Sequence, residues 1–249
     1  RGLGDVYKRQ GWNRVNSTPR HITMSRSFYL AQLGTVPNCP ICSIWDTLKE
    51  GGKNKMIKIE LKDGSNIEVE KESSVLDVAK KISEGLARVA LAGIVNGEVK
   101  DLRYELNEDC KLEIVTFDNL EGKKAYWHTT SHIMAQAIKR IFPEVKLAIG
   151  PSIDNGFYYD FDVEKPFTEE DLVKIENEMK KIIKEDLAIE RFTLPRDEAI
   201  KFMKEKQEPY KVELIEDLPE DEEISFYKQG EFTDLCAGPH VMKLSLIHI

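Results

Sequence analysis

At 249 residues with 41% apolar side chains, the chain is long enough to bury one large core or two small ones, and it reads as soluble and globular. Its formal net charge of -8 argues against binding nucleic acid through the overall field, so any RNA contact must come from a local basic patch or from the reacting end of the RNA. Cys39, Cys42, Cys110 and Cys236 are too few and scattered for a disulfide framework, no apolar run approaches the roughly 18 to 20 residues of a membrane span, and no signal-peptide pattern follows Arg1, so the cytoplasm is the expected compartment.

The two ends are related through the genetic code. Written GAT GTG TAT AAG AGA CAG, the stretch Asp5-Val-Tyr-Lys-Arg-Gln10 has the reverse complement CTG TCT CTT ATA CAC ATC, which translates as the closing Leu244-Ser-Leu-Ile-His-Ile249. An inverted pair around an insert resembles a library linker, so residues 244–249 are expected to be a non-native tail. Trp12, Pro19, Arg20, Pro37, Pro40 and Trp45 show neither helical nor strand period, and residues 1–55 are expected to be a disordered, non-native or untranslated leader. Gly51-Gly52 can be coded GGAGGT, a ribosome-binding sequence, which makes Met56 the expected native start. Cys39-Pro-Ile-Cys42 has the spacing of a zinc or redox site, but only His21 is at hand as a further ligand, so the incidental reading is preferred.

From Met56 the pattern changes. Ile57, Ile59 and Leu61 alternate with Lys58, Glu60 and Lys62, Asp63-Gly64 supplies a turn, and Ile67 and Val69 resume the alternation, which predicts a β-hairpin. Ser74 with Asp77 has capping-box-like spacing, followed by the stripe Val75, Val78, Ala79 and Ile82, with Gly85 expected to stop the helix. A second hairpin is predicted around Asn96-Gly97, and Leu112, Ile114 and Phe117 are expected to close the sheet, with Cys110 a small hydrophobe on a strand. Residues 56–117 in this order resemble a TGS domain, the ubiquitin-like β-grasp module of threonyl-tRNA synthetases, some GTPases and stringent-response enzymes. A GTPase would need a G-x-x-x-x-G-K-[ST] phosphate loop, and the chain has none.

The next stretch, Tyr126 to Phe142, predicts a helix with Ile133, Met134, Ala137, Ile138 and Ile141 inward, ended by Pro143. His128 and His132 are four apart, so both imidazoles share one helix face within reach of a single metal ion or water. Two histidines at that spacing are as readily ordinary packed side chains, and the reading needs a second cluster. Phe232-Thr-Asp234-Leu-Cys236-Ala-Gly-Pro-His240 supplies one, with Gly238-Pro239 forcing a turn that presents Cys236 and His240 toward one point. Between these motifs, Ala148 to Asp160 reads as strand-like stretches broken by glycine turns, in which Tyr158 and Tyr159 face opposite ways, one to the core and one to ligand. Thr168 with Asp171 opens a helix with the stripe Leu172, Ile175, Met179, Ile182 and Ile183; Ile189 to Leu194 reads as a strand and Asp197 to Lys206 as a helix. Pro209 to Leu214 reads as another strand start, on which Lys211 has the plain alternative of a surface lysine.

His128-Thr-Thr-Ser-His132, the run from Ala148 to Asp160, Pro209-Tyr-Lys-Val-Glu213 and Thr233-Asp-Leu-Cys-Ala-Gly-Pro-His240, in that order behind a TGS domain, resemble the second amino-terminal domain of bacterial threonyl-tRNA synthetases, a fold shared with alanyl-tRNA synthetase editing domains. The resemblance implies an α+β chain: a β-grasp domain over 56–117, then a larger α+β editing domain over 118–243. It implies a hydrolase for serine wrongly attached to threonine tRNA, the 3′ acceptor end of that tRNA being the partner. His128 and Cys236 are expected to place or activate water, Lys211 and Asp234 to orient substrate and terminal adenosine, and Tyr159, His132 and His240 to form walls and hydrogen bonds, with Tyr158 and Asp154 as further binding candidates. His128, His132, Cys236 and His240 can complete a zinc tetrahedron, but no metal is favoured, since the threonyl branch is understood to use ordered water. ATP, magnesium and zinc are expected only in a catalytic core beyond Lys243, and a homodimer only for the full-length enzyme. The rival readings are a non-catalytic TGS module that binds RNA or protein, a free-standing editing factor for alanine tRNA, and an inactive fragment.

Overall fold

The computed structural model describes residues 55–247; the expectations for the leader, the Cys39/Cys42 pair and His248 fall outside them. The first unit is built on β1 (Met56–Leu61), β2 (Asn66–Glu70), β4 (Ala92–Val95), β5 (Glu98–Lys100) and β7 (Cys110–Val115), in the sheet order β2-β1-β7-β4-β5. β1 and β7 pair in parallel and the other neighbours antiparallel, the mixed sheet of a β-grasp. Two-residue β3 (Ser73–Ser74) and β6 (Glu105–Leu106) pair at its margin.

The period-two pattern has the expected effect in β1, where Ile57 and Ile59 are buried and Lys58 is exposed. At the second hairpin Asn96 and Gly97 both take positive φ, as a two-residue turn requires. Helix α1 (Val75–Ile82) opens with a reciprocal capping box: the Ser74 hydroxyl accepts from the Asp77 N–H, and the Asp77 carboxylate accepts from the Ser74 N–H. Gly85 does not stop the helical path. Ser83 ends α1 and its hydroxyl caps α2 (Glu84–Val89), in which Gly85 lies. Phe117 does not close the sheet either: β7 ends at Val115, and Phe117 is 47% exposed with its edge on Tyr126.

The second unit hangs from α3 (Leu120–Ile141), which begins six residues before the predicted start at Tyr126. Its backbone passes so close to the Thr116 carbonyl that a Cβ on Gly122 would lie 1.9 Å from that oxygen. Short strands β8 (Lys146–Leu147), β9 (Ser152–Ile153), β10 (Gly156–Phe157) and β11 (Phe161–Asp162) follow, with Tyr158 and Tyr159 between strands rather than on one. Then come α4 (Glu169–Lys184), β12 (Ile189–Leu194), α5 (Arg196–Glu205), α6 (Pro209–Asp217), β13 (Ile224–Gln229) and β14 (Phe232–Leu235), the last two strands completing an antiparallel sheet β12-β13-β14. The α4 stripe is Ile175, Met179 and Ile182; Leu172, one turn earlier, is 57% exposed.

The predicted strand at Pro209 is a helix. Lys211, Val212, Leu214 and Ile215 are its buried residues, a 3.6-period face, and Pro209 occupies the first turn, where a missing N–H costs nothing.

The two units share apolar contacts. Leu91 belongs to the same core cluster as Ile133, Tyr227 and Cys236, Met242 packs against the β-grasp core, and Ala125 of α3 sits on Ala92 and Val115. Leu244 and Ile247 also lie in the larger core. Among the described residues no helix is long and apolar enough to cross a membrane.

Because the atom blocking Gly122 is backbone, Gly122→Ala is expected to destabilise the protein by about 1–3 kcal/mol, the usual cost of overpacking. Urea unfolding of the two proteins side by side measures this, and an unchanged midpoint would contradict the close approach.

Candidate active site at the His/Cys cluster

One turn of α3, from His128 to His132, is buried throughout, polar side chains included. Its threonine and serine hydroxyls are satisfied locally: Thr129 and Thr130 donate to the carbonyls four residues back, and Ser131 bridges the His128 and Gly150 carbonyls. That leaves His128 and His132 to face the loop after β14. There the Cys236 sulfur lies 3.2 Å from His128 Nε2 and 3.3 Å from His240 Nε2, and it accepts from the Gly238 N–H at 3.2 Å. Gly238 has φ +77° and precedes a cis Pro239; a Cβ on it would lie 2.2 Å from the Tyr227 hydroxyl. The predicted turn thus brings Cys236 and His240 back to one point, with the His240 ring 4.3 Å from each of the other two imidazoles.

The tautomer of His240 follows from Thr129. Its hydroxyl donates to the Ala125 carbonyl and accepts from the Val241 N–H. His240 Nδ1, at 3.1 Å, therefore carries the hydrogen, and Nε2 turns its lone pair toward Cys236.

Beside this neutral cluster is a charged one. Lys211 Nζ lies 2.6 Å from Asp234 Oδ1, the Tyr159 hydroxyl donates to Asp234 Oδ2 at 2.6 Å, and His132 Nε2 is 3.6 Å from the same oxygen. All four side chains are buried. Lys211 is no surface lysine: α6, rather than a strand, turns it inward. A Cβ on Gly150 would sit 2.0 Å from the Tyr159 ring, so that glycine makes room for the tyrosine. A cavity of about 190 Å³ reaches this pair, with Gln136, Leu147, Phe232 and Thr233 among its walls. Asp154, by contrast, is exposed in the β9–β10 turn and Tyr158 is 37% exposed, so the structure brings neither into the constellation.

Residues 57–116 match the family model described as "TGS domain". The chain is 70% identical over 186 residues to a "Threonine--tRNA ligase" of Acetivibrio thermocellus, covering 75% of this chain and 29% of that protein. Proteins of the same name from Caldanaerobacter subterraneus subsp. tengcongensis and Clostridium kluyveri match at 61% over 197 residues and 65% over 186, covering 79% and 75% of this chain. The chain is a threonine--tRNA ligase homologue with a TGS domain. It spans about three tenths of the length of these relatives, and the match is consistent with an amino-terminal fragment of such a ligase.

In this homologue the donor atoms of His128, His132, Cys236 and His240 all lie within 4.8 Å of one another. Ligands around a tetrahedral zinc sit about 3.3–3.7 Å apart, so the sulfur-nitrogen edges already approach that spacing, and imidazoles with one thiol are a set zinc accepts. The residues fit a metal ion. As they stand they are uncharged. Burial, then the neighbouring His132, pushes His128 down to about 3, and burial pushes His132 down to about 4 against the pull of Asp234. His240 is held well below its ordinary value by burial and the other two histidines, and burial pushes the Cys236 thiol up to about 12. Asp234 goes the other way: burial pushes it up, but Lys211 and His132, with the Lys211 and Tyr159 hydrogen bonds, outweigh this and hold it below the usual carboxylate range.

The residues that reading along the chain missed are Thr129, Ser131 and Gly150, which set ring and tyrosine positions, and Tyr227, Asp101 and Arg103, which brace the Cys236–His240 loop.

Histidines that resist protonation when folded make the unfolded state the better proton binder between about pH 6.5 and 4. Stability is therefore complete above pH 6.5 and falls as the pH drops, by up to about 1.4 kcal/mol per pH unit for each such histidine. Thermal melts from pH 7.5 to 4.5 are expected to show this decline, and to show it less steeply in His128→Asn; equal slopes would contradict a buried neutral His128.

Proposed function

We propose that this chain carries the editing site of a threonyl-tRNA synthetase, which hydrolyses serine from mischarged threonine tRNA. The observation that carries the reading is the convergence of two neighbouring buried groups: His128, His132, Cys236 and His240 around one sulfur, and Lys211, Asp234 and Tyr159 beside a cavity. A ligase that must prefer threonine to serine has one methyl group to work with, and such a difference supports only about 10 to 200-fold discrimination by binding. Subsequent hydrolysis supplies the remainder.

Water is the nucleophile in this scheme. A thiol held near 12 is not a thiolate at neutral pH, so Cys236 does not attack the ester; with His128 it places water by hydrogen bonding. The water attacks the ester carbonyl while His128 takes its proton and returns it to the departing ribose oxygen, leaving free serine and a 3′ hydroxyl. Lys211, with its counter-ion Asp234, lines the cavity as a buried positive group, suited to orienting the aminoacyl ester and steadying the developing oxyanion. Tyr159, His132 and His240 hold these groups in register, and the terminal adenosine enters past the Lys211–Asp234 side.

The reaction uses no cofactor. A zinc ion, where bound by His128, His132, Cys236 and His240, would supply Lewis acidity, but all four of its positions would be protein ligands, the closed arrangement of structural rather than catalytic zinc. ATP and magnesium belong to the aminoacylation core of the full-length enzyme, which acts as a cytoplasmic homodimer.

Deacylation of Ser-tRNA(Thr) by the 249-residue chain is expected to fall by at least about 100-fold in His128→Ala and in Lys211→Ala, each shown folded by circular dichroism. Full activity in both variants would reject the assignment. Metal analysis of the purified protein is expected to find less than stoichiometric zinc, and chelation to leave the rate unchanged; loss of activity on chelation would overturn the cofactor-free scheme.

A further inference from the structure

The β-grasp unit reaches into the His/Cys cluster. Asp101 and Arg103, just after β5, form an ion pair in which one guanidinium nitrogen, Arg103 Nη1, donates to both carboxylate oxygens at 2.8 and 3.0 Å, with side chains only 10% and 19% exposed. Arg103 donates onward to the carbonyls of Ile189 and Val241, the latter at 3.3 Å, tying the pair to the start of β12 and to the residue after His240. Asp101 Oδ2 then accepts two hydrogen bonds, from the His240 backbone N–H and from the Tyr227 hydroxyl, both at 3.2 Å. Tyr227 itself lies against the His240 ring, with centroids 4.4 Å apart, and its hydroxyl occupies the space left by the missing Cβ of Gly238.

His240 is thus gripped from two directions. Thr129 of α3 holds its ring nitrogen, and Asp101 holds its backbone. The peptide amide of a turn residue carrying a reactive ring is an effective lever: moving it rotates the whole side chain about its Cα, and Cys236 Sγ, 3.3 Å from the ring, moves relative to it. A carboxylate oxygen is a stronger acceptor for a backbone N–H than a neutral one, and burial keeps water from replacing it.

We propose that Asp101, held in place by Arg103, is a positioning residue of the hydrolytic site, so that the TGS unit forms part of the editing machinery rather than only preceding it. This rests on the editing reading above. It has an arm that does not: the geometry of His240 depends on Asp101 whether or not the chain hydrolyses anything.

The test uses the full chain and the variants Asp101→Ala, Asp101→Asn and Arg103→Gln. In single-turnover deacylation of Ser-tRNA(Thr), Asp101→Ala is expected to lower the rate at saturating substrate by about 10 to 100-fold with KM little changed. Asp101→Asn, which keeps an acceptor oxygen for His240 and Tyr227, is expected to recover most of that loss. The second arm is nitrogen NMR of histidine-labelled protein, in which Asp101→Ala shifts the His240 ring resonances. A folded Asp101→Ala with a lower melting temperature but a wild-type rate and unmoved His240 signals overturns the proposal. If Asp101→Ala does not fold, Arg103→Gln decides: an intermediate rate loss with the same His240 shift supports the proposal, and wild-type behaviour in both overturns it. If the wild-type chain has no deacylase activity, the editing reading fails, while the His240 spectrum still decides whether Asp101 sets its position.

Discussion

A buried carboxylate dictates much of the second unit. Taking Asp234 out of water carries an effective penalty of several kcal/mol unless its oxygens are partnered, and Lys211, equally buried, carries its own. The pair at 2.6 Å offsets that only with help, which comes from Tyr159 on the other oxygen and from His132 nearby. Each partner arrives on a different element. Lys211 needs a helix after Pro209 to turn inward, Tyr159 needs the loop between β10 and β11 to pass over Gly150, and His132 needs the second histidine turn of α3. A change in any of these leaves a charge without its partner inside the protein, so the local folds of three segments answer to one ion pair. Such a pair is a weak source of net stability, while removal of one partner is strongly destabilising because the other charge stays buried.

The same balance of burial against partners keeps the sulfur cluster neutral while its neighbour is charged. Cys236 and the three histidines face one another, and burial outweighs the pull of Asp234 on His128 and His132, so thiol and imidazoles keep their neutral forms. Asp234 has a cation in contact and stays ionised. A boundary between a polarisable neutral region and a fixed dipole of charge therefore runs through His132, which touches both. In the proposed ester hydrolysis that division would set hydrogen-bond acceptors for water on one side and a positive group for the developing oxyanion on the other.

Much of this was legible along the chain where a signal is local. The capping boxes at Ser74 and Thr168, the Asn96-Gly97 hairpin and the four-residue spacing of His128 and His132 depend on neighbours in sequence, and each took the predicted form. The glycine-proline bend was legible as a turn for the same reason. What failed depended on context. Pro209 to Leu214 was too short a window to separate strand from helix by period, and the first-turn proline was the discriminating sign. Gly85 and Phe117 signal a helix stop and a strand only by residue type, whereas the Ser83 cap and the end of β7 decide the local structure. Leu172 fits the α4 stripe by spacing but lies beyond the edge of the core. Asp101 carries no local mark at all: its partner His240 stands 139 positions away, and Lys100-Asp-Leu-Arg103 reads as an ordinary hairpin end.

The interface between the two units grades from apolar to polar toward the site. Ala92, Val115 and Ala125 make its small-residue side, where backbones approach closely; Leu91 crosses into the larger core; Asp101 and Arg103 form the end that meets His240 and Val241. Small residues at one end fix distance, because any added methylene must be paid for by separation, while the hydrogen bonds at the other end fix angle. A β-grasp unit attached by a flexible linker would need neither. With Met242 returning to the β-grasp core immediately after the Cys236–His240 loop, that loop is anchored at both ends, by the sheet before it and by the other unit after it. A sulfur and two imidazole nitrogens within 3.3 Å, on a turn and a distant helix, are kept in register by restraint on both sides. The β-grasp unit supplies one of those sides.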